Sequence, residues 1–186
     1  MVHQYFYKYK PFLLFLGKFF FTYLLLTLIY QYYLSQFDET TFETDAFTGL
    51  VADQVVNLLA FANIEAITIA HESQSSFKLI YNDKFVARII EGCNALSVMI
   101  LFTAFIIAFT GKWKHTISYI LGGILLIHIL NIIRIALLSA ALFHFPEYEH
   151  LLHGVIFPLF IYGVVFILWV IWVNKFSRYA KKDLAT

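Results

Sequence analysis

Three kinds of reactive side chain stand in or beside apolar runs of this sequence: a thiol, a guanidinium and an imidazole. Cys93 is the only cysteine among 186 residues, and it follows Glu91 and Gly92 where charged sequence gives way to apolar sequence. A thiolate is a strong nucleophile, a neutral imidazole can take its proton and return it to a leaving amine, and an arginine can stabilise an oxyanion. These residue types together indicate a thiol active site that attacks a peptide carbonyl.

The guanidinium belongs to Arg134, which lies deep inside a later apolar run. A charged side chain at the centre of a membrane helix costs about 2.5–3.5 kcal/mol on insertion scales, and such residues usually face the bundle interior and mark function. His128, Asn131 and Arg134 are spaced by three residues, so they form one polar stripe on a helix. The structural alternative is that Asn131 and helix-end carbonyls hold Arg134 as a purely structural group.

Two imidazoles, those of His150 and His153, stand at the head of the last apolar run and are three residues apart, so one helical face can carry both.

A lone membrane cysteine is more often a small apolar filler. Cys93, however, follows a glycine, and the helix predicted to begin there supplies a dipole and free N–H groups that favour a thiolate. Two histidines and one thiol lack a fourth zinc ligand, so no metal and no cofactor is predicted. The nearby Glu147 and Glu149 are interpreted as solvated loop residues.

The elements that must position these groups are membrane helices. Residues of the AVILMFWYC set make up 61% of the chain and charged residues 13%, against about 45–50% and about 25% in soluble domains. Four apolar runs, at about 11–34, 93–110, 116–142 and 151–173, are interpreted as transmembrane spans because about 20 apolar residues cross a bilayer. The prediction is an all-α membrane protein, a four-transmembrane-helix bundle within a single integral membrane domain. The net charge of +1 forms no basic patch, so no nucleic-acid partner is expected.

Residues 35–90 form a small insertion between the first two spans, with eight acidic and three basic residues. Apolar residues at helical spacing predict an amphipathic helix over 45–62. Short apolar segments bounded by turn residues predict strands at 67–70, 77–81 and 85–90. An extracytoplasmic helix plus a β-hairpin or small sheet therefore leads directly into the segment that carries the cysteine.

The distribution of basic residues predicts the orientation. The loop at 143–149 has no lysine or arginine, and the insertion is acidic. Bases cluster at the N-terminus, between the second and third spans, and at the C-terminus: Lys8, Lys10, Lys112, Lys114, Lys175, Arg178, Lys181 and Lys182. By the positive-inside rule both termini are cytoplasmic, and the insertion and the 143–149 loop face outward. The thiol, guanidinium and imidazoles can then converge in the outer half of one bundle within the membrane lipid.

These motifs, in this order, resemble one known family. A cysteine at the head of a membrane helix, the sequence NIIR at 131–134 in the next, and HLLHGVIFP at 150–158 before a further one resemble the exosortase/archaeosortase family of membrane cysteine transpeptidases. With EGCNAL at 91–96 they are similar to the compact XrtF-type branch found in Bacteroidetes. His150 matches the family spacing of His-x3-Gly-x2-Phe and is slightly preferred for that reason, whereas His153 is adjacent and deeper, so both stay candidates. This chain departs from the family pattern in two ways. Many relatives have the sequence Cys-Ser-Gly where this chain has Cys93, Asn94 and Ala95, and many relatives have about six to eight spans where four are predicted for this chain.

The resemblance implies a catalytic set of Cys93 and Arg134 with His150 or His153. Three further residues are candidates for substrate contact or for support of that set: Asn131, Asn94 and Glu91. The implied enzyme lies in the bacterial inner membrane, faces the periplasm and cleaves the C-terminal sorting signals of exported proteins through a thioester on the thiol. It then passes the protein to water or to an acceptor, an amine or lipid that the resemblance leaves open.

Two readings without this peptidase chemistry remain. One is a membrane scaffold or assembly subunit in which Arg134 is a structural polar residue. The other is a thiol redox relay, which is disfavoured because the sequence has no second cysteine to resolve a mixed disulfide.

Overall fold

The computed structural model describes residues 2–109 and 111–176, in which three helices are long and apolar enough to cross a membrane. They are α1 (Val2–Leu34), α4 (Trp113–His144) and the last helix (Pro146–Phe176). Many large apolar side chains on these helices are exposed, which suits contact with lipid tails. The largely helical fold is therefore confirmed, and the three apolar helices are consistent with the membrane class predicted from composition.

The predicted second span is shorter than a full crossing. Helix α3 (Leu96–Ala108) has 13 residues, and at 1.5 Å per residue it covers about 20 Å of a hydrocarbon core of about 30 Å. Cys93 precedes this helix, on a 3₁₀ turn (Glu91–Cys93). The helix begins late because Ala95 has a left-handed backbone with φ of 64°, which a right-handed helix cannot contain. The prediction that the cysteine itself begins the helix is therefore wrong by three residues.

The insertion contains the predicted helix and strands, each within one residue of the predicted bounds. Helix α2 (Ala46–Phe61) begins after Asp45, whose carboxylate accepts a hydrogen bond from the Thr48 N–H at 2.9 Å, as an N-cap does. Three strands form an antiparallel sheet in the order β1-β2-β3: β1 (Ala66–Ala70), β2 (Ser76–Tyr81) and β3 (Lys84–Ile90). Asn82 and Asp83 have φ of 45° and 60°, which a two-residue type I′ turn between β2 and β3 requires.

Two apolar cores meet at the cysteine. The first joins α2 and the sheet to the C-terminal half of α4 and includes Val51, Leu79 and Cys93. The second joins α3 to the N-terminal half of α4 and to the end of the last helix, around Phe102 and Trp172. The chain passes from one core to the other at residues 93–95, so the position of the thiol depends on how both cores pack.

Gly123 of α4 packs directly against Phe102 of α3. A Cβ added to this residue would overlap the ring of Phe102, whereas the neighbouring Gly122 has open space around it. Small residues at such contacts let membrane helices pack backbone to backbone. Gly123 is therefore a packing residue of the bundle.

The end of the bundle opposite the sheet is held by aromatic side chains of α4 and the last helix. The Tyr119 hydroxyl donates to the Leu168 carbonyl at 2.7 Å, and Trp172 Nε1 donates to the Phe109 carbonyl at 3.4 Å. Lys112 lies beside this end, just before α4. Three basic residues of the C-terminal tail that are predicted to be cytoplasmic lie outside the described residues: Arg178, Lys181 and Lys182.

Candidate active site

A cleft between β3, α4 and the start of the last helix contains three of the predicted reactive side chains. Cys93, Arg134 and His153 all line it, and its volume is about 130 Å³. His150 is exposed and is not among the residues that line the cleft. The structure therefore distinguishes the two candidate histidines, and His153 is the one that shares a cleft with the thiol and the guanidinium.

The thiol of Cys93 is free and lies in a buried residue whose exposed fraction is 8%. Its main-chain carbonyl accepts a hydrogen bond of 2.7 Å from the Asn131 amide nitrogen. Asn131 is fully buried on α4 and uses its amide oxygen to accept a 3.2 Å hydrogen bond from Arg134 Nη1. One asparagine thus sets the position of the cysteine backbone relative to the guanidinium.

The Arg134 guanidinium, on a residue that lines the cleft, has a donor without a hydrogen-bond partner among the described residues. Its Nε is buried and has no hydrogen-bond partner among the described residues. An arginine carries five N–H donors, and the hydrogen bond to Asn131 uses one of them. A buried unpaired donor costs about 1–3 kcal/mol, so an acceptor on a bound molecule, such as a peptide carbonyl or an oxyanion, would be favourable at this position.

His153 lies on a π-helical turn (Leu152–Ile156) at the head of the last helix. Such turns interrupt an α-helix locally and are frequent at functional sites. Its side chain is exposed, which leaves the imidazole open to proton exchange with a bound substrate. Glu149, four residues earlier, is exposed, as expected for a solvated residue, and it also lines the same cleft. Its helical spacing from His153 is the signal that could have identified it.

Asn94 holds the cysteine turn from the side away from the cleft. Its amide nitrogen donates to the Thr48 hydroxyl at 3.0 Å and to the Tyr30 hydroxyl at 3.3 Å, and its amide oxygen accepts from the Leu96 N–H at 2.8 Å. Asn94 and Thr48 are fully buried. Because Tyr30 is on α1 and Thr48 on α2, the residue next to Cys93 is tied to two separate helices.

This buried network ends on two carboxylates. The Tyr30 hydroxyl donates to Glu91 Oε1, and the Thr48 hydroxyl donates to Asp45 Oδ2 at 2.5 Å. Neither Glu91 nor Asn94 lines the cleft, so their contacts are with the protein. The sequence interpretation includes Asn94 and Glu91 but misses Tyr30, Thr48 and Asp45. An N-cap signal at Asp45 and a tyrosine near the end of an apolar helix are the only traces they leave in the sequence.

The polar stripe of α4 contacts three different parts of the molecule. His128 Nε2 hydrogen-bonds Gln54 Oε1 on α2 at 2.8 Å, Asn131 contacts the cysteine turn, and Arg134 lines the cleft. The stripe therefore connects the insertion to the helical bundle as well as contributing to the site.

Comparison of the chain with protein-family models, with curated proteins and with solved structures found no match. Its function must therefore be inferred from the chemistry of its own residues. A buried thiol, a guanidinium with unused donors and an accessible imidazole around one cleft are suited to nucleophilic attack on a carbonyl group.

Proposed function

We propose that the protein is a membrane cysteine peptidase or transpeptidase of the exosortase type, which cleaves C-terminal sorting signals of exported proteins. The observation that carries this proposal is the cleft shared by Cys93, Arg134 and His153. The backbone of Ala95 adds support, because its φ of 64° is one that glycine adopts readily. The Cys-Ser-Gly motif of the family places a glycine at this position.

In the proposed reaction, His153 takes the thiol proton as Cys93 Sγ attacks the carbonyl carbon of the scissile peptide bond. Arg134 donates hydrogen bonds to the oxyanion of the tetrahedral intermediate. The C–N bond then breaks, His153 returns the proton to the leaving amine, and the acyl group remains on sulfur as a thioester. An incoming amine or water gives a proton to His153 and attacks the thioester; the C–S bond breaks and the thiol is restored.

The proposed topology has four membrane helices, with α3 as a short one, in the bacterial inner membrane. Both termini are cytoplasmic, and the cleft opens to the periplasm. Support comes from Lys112 and Lys175, which lie at the end of the bundle opposite the sheet, where the positive-inside rule places cytoplasmic bases. A short helix is accommodated by local thinning of the bilayer at modest cost.

Alanine variants test the catalytic roles. Cys93→Ala, Arg134→Ala and His153→Ala are expected to abolish processing of tail-anchored substrates from the same genome, while His150→Ala retains it. Membrane abundance is followed in the same blots, and mass spectrometry should find a thioester-linked substrate on Cys93 of the unaltered protein. Normal processing by a stably inserted Cys93→Ala protein would refute the proposal.

A non-enzymatic scaffold is the second candidate, and the hydrogen bond between Arg134 and Asn131 favours it because that contact is structural. In this case Cys93→Ser is silent, and Arg134→Ala lowers the amount of inserted protein. The peptidase proposal gives the opposite pattern for Cys93→Ser, which keeps the shape of the side chain but removes the thiolate. One blot that measures both processing and abundance separates the two functions.

A further inference from the structure

The strand that leads to the cysteine has a free edge. β3 pairs with β2 and with no other strand of the described chain. Among the described residues, no main-chain N–H or C=O of Lys84–Ile90 hydrogen-bonds to any group beyond β2. An unpaired strand edge presents a row of donors and acceptors that can take up another extended chain.

This free edge runs along the cleft. Residues 86–90 of β3 line the cleft without interruption, together with Cys93 and Arg134. Successive side chains of a strand point to opposite faces, so five consecutive residues reach one cleft only if it follows the edge of the strand. The edge therefore leads a chain lying on it directly to the thiol.

The cleft continues outward into a second, wider cavity of about 500 Å³. The two cavities share residues 86–88 and Glu149, and the outer one is also lined by His71 and Lys84. Together they form a groove that follows β3 from Lys84, which lies over the ring of Phe143 near the end of α4, to the cysteine. A peptide paired along all seven residues of β3 would extend about 23 Å at 3.3 Å per residue.

Fixed charges select the occupant of this groove. Lys84 and Arg88 line it with one carboxylate, that of Glu149, so its fixed charge is net positive. A peptide bearing an acidic side chain upstream of the reacting bond complements this charge, and one bearing a lysine there does not.

We propose that the substrate segment N-terminal to the scissile bond binds as an extended strand on the free edge of β3, and that this pairing delivers the bond to Cys93. The inference rests on the proposed function and specifies how the substrate is recognised. Because the leaving segment of that substrate is anchored in the membrane, the bound segment runs from Lys84 towards Cys93, parallel to β3. Main-chain hydrogen bonds supply affinity in such strand addition, and side-chain pockets supply selectivity.

Peptidyl chloromethyl ketones of one to five alanine residues test this with the purified full chain in detergent micelles. Attack by Cys93 Sγ forms a C–S bond and expels chloride, and intact-mass spectrometry measures the rate. We expect the second-order rate constant to rise at least tenfold from one residue to four. N-methylation of alternate residues should remove this gain, whereas methylation of the intervening residues should preserve it. A rate constant independent of length, or equal losses at every methylated position, would overturn strand addition.

A charge-reversal pair tests the direction of the bound strand. Two four-residue probes are compared, one with glutamate and one with lysine as its first residue. The unaltered protein should react faster with the glutamate probe, and Arg88→Glu should react faster with the lysine probe. Lys114→Glu, the same kind of charge reversal at an exposed residue of α4 that lines neither cavity, should leave the preference for the glutamate probe intact. Equal rates for both probes in the unaltered protein would contradict the proposed direction.

The two proposals fail in different ways. Substrate processing that requires Cys93, combined with no alternating effect of N-methylation, would overturn strand addition and leave the peptidase function standing. Alkylation that shows the alternating effect, combined with normal processing by Cys93→Ala, would leave a peptide-binding edge and refute the peptidase function. Iodoacetamide, which carries no peptide, reports the access of reagents to the thiol in each variant.

Discussion

The amide nitrogen of Asn131 donates to the main-chain carbonyl of Cys93 at 2.7 Å, so helix α4 holds the turn that carries the thiol. The other end of the same amide accepts from Arg134. The cysteine turn and the Arg134 guanidinium are therefore both held by one buried side chain, that of Asn131.

Asn131→Ala should separate positioning from folding. The change leaves the Cys93 carbonyl unpaired, which lowers the free energy of unfolding by about 1–3 kcal/mol. Misplacement of reacting groups by about 1 Å can cost about 100-fold in rate, so we expect a loss of that order in substrate processing. Processing is measured in membranes and stability by thermal unfolding in detergent. Thr116→Ala is the control, because Thr116 is buried on α4 far from the cysteine turn and its hydroxyl donates to the Lys112 carbonyl just before that helix. Unchanged processing by Asn131→Ala would contradict the positioning role.

Ala95→Gly should stabilise the protein. A non-glycine residue in the left-handed region costs about 1–2 kcal/mol, and the loss of a buried methyl group offsets part of the gain, so we expect a net increase of about 0.5–1 kcal/mol in the free energy of unfolding. The matched control is Ala136→Gly, a buried alanine inside α4, which should lose about 1 kcal/mol. Melting temperatures in the same detergent measure both. A lower melting temperature for Ala95→Gly would show that the turn does not carry this strain.

Gly123→Ala should destabilise the bundle, because its Cβ would overlap the Phe102 ring. Overpacking of this kind costs about 1–3 kcal/mol. Gly122→Ala, one residue earlier with open space around it, should be neutral or stabilising because alanine favours a helix more than glycine does. Phe102→Leu combined with Gly123→Ala should recover part of the loss. Equal melting temperatures for the two glycine variants would refute the close approach of α3 and α4.

Tyr30 and Asn94 should be energetically coupled. Tyr30→Phe removes a hydroxyl that accepts from Asn94 and donates to Glu91, and Asn94→Ala removes the centre of the same network. A double-mutant cycle should give an interaction energy of about 0.5–3 kcal/mol, as in-contact network residues do. The control pair is Tyr30→Phe with Asn57→Ala, an exposed asparagine on α2. Their effects on the free energy of unfolding should be additive. Additive effects for Tyr30 and Asn94 would mean that α1 does not hold the cysteine turn.

The elements with a clear local signal were predictable from the sequence. Helix α2 has an N-cap aspartate and an apolar face, and β2 and β3 flank the turn residues Asn82 and Asp83, so each was predicted within one residue of its bounds. The start of α3 was not predictable in the same way. The apolar composition continues through residues 93–96, whereas the left-handed backbone of Ala95 delays the helix until Leu96.

The site was predictable in residue types but not in arrangement. Tyr30 meets Asn94 across 64 positions and Thr48 meets it across 46, and contacts at such separations depend on tertiary packing. His153 lies on a π-helical turn, Leu152–Ile156, whereas His150 lies before it, and only His153 lines the cleft. Spacing in an ideal α-helix does not contain that distinction.

Helix α1 exposes most of its side chains from Tyr9 onwards, yet its last turns carry Tyr30, which is buried against Asn94 and Glu91. A hydrophobic helix adjusts its tilt to the thickness of the bilayer around it. Such a tilt would move the tyrosine and, through two hydrogen bonds, the sulfur beside it. Bilayer thickness is therefore expected to be a physical variable of the reaction rate, so that vesicles of short-chain and long-chain lipids should give different turnover with the same polypeptide.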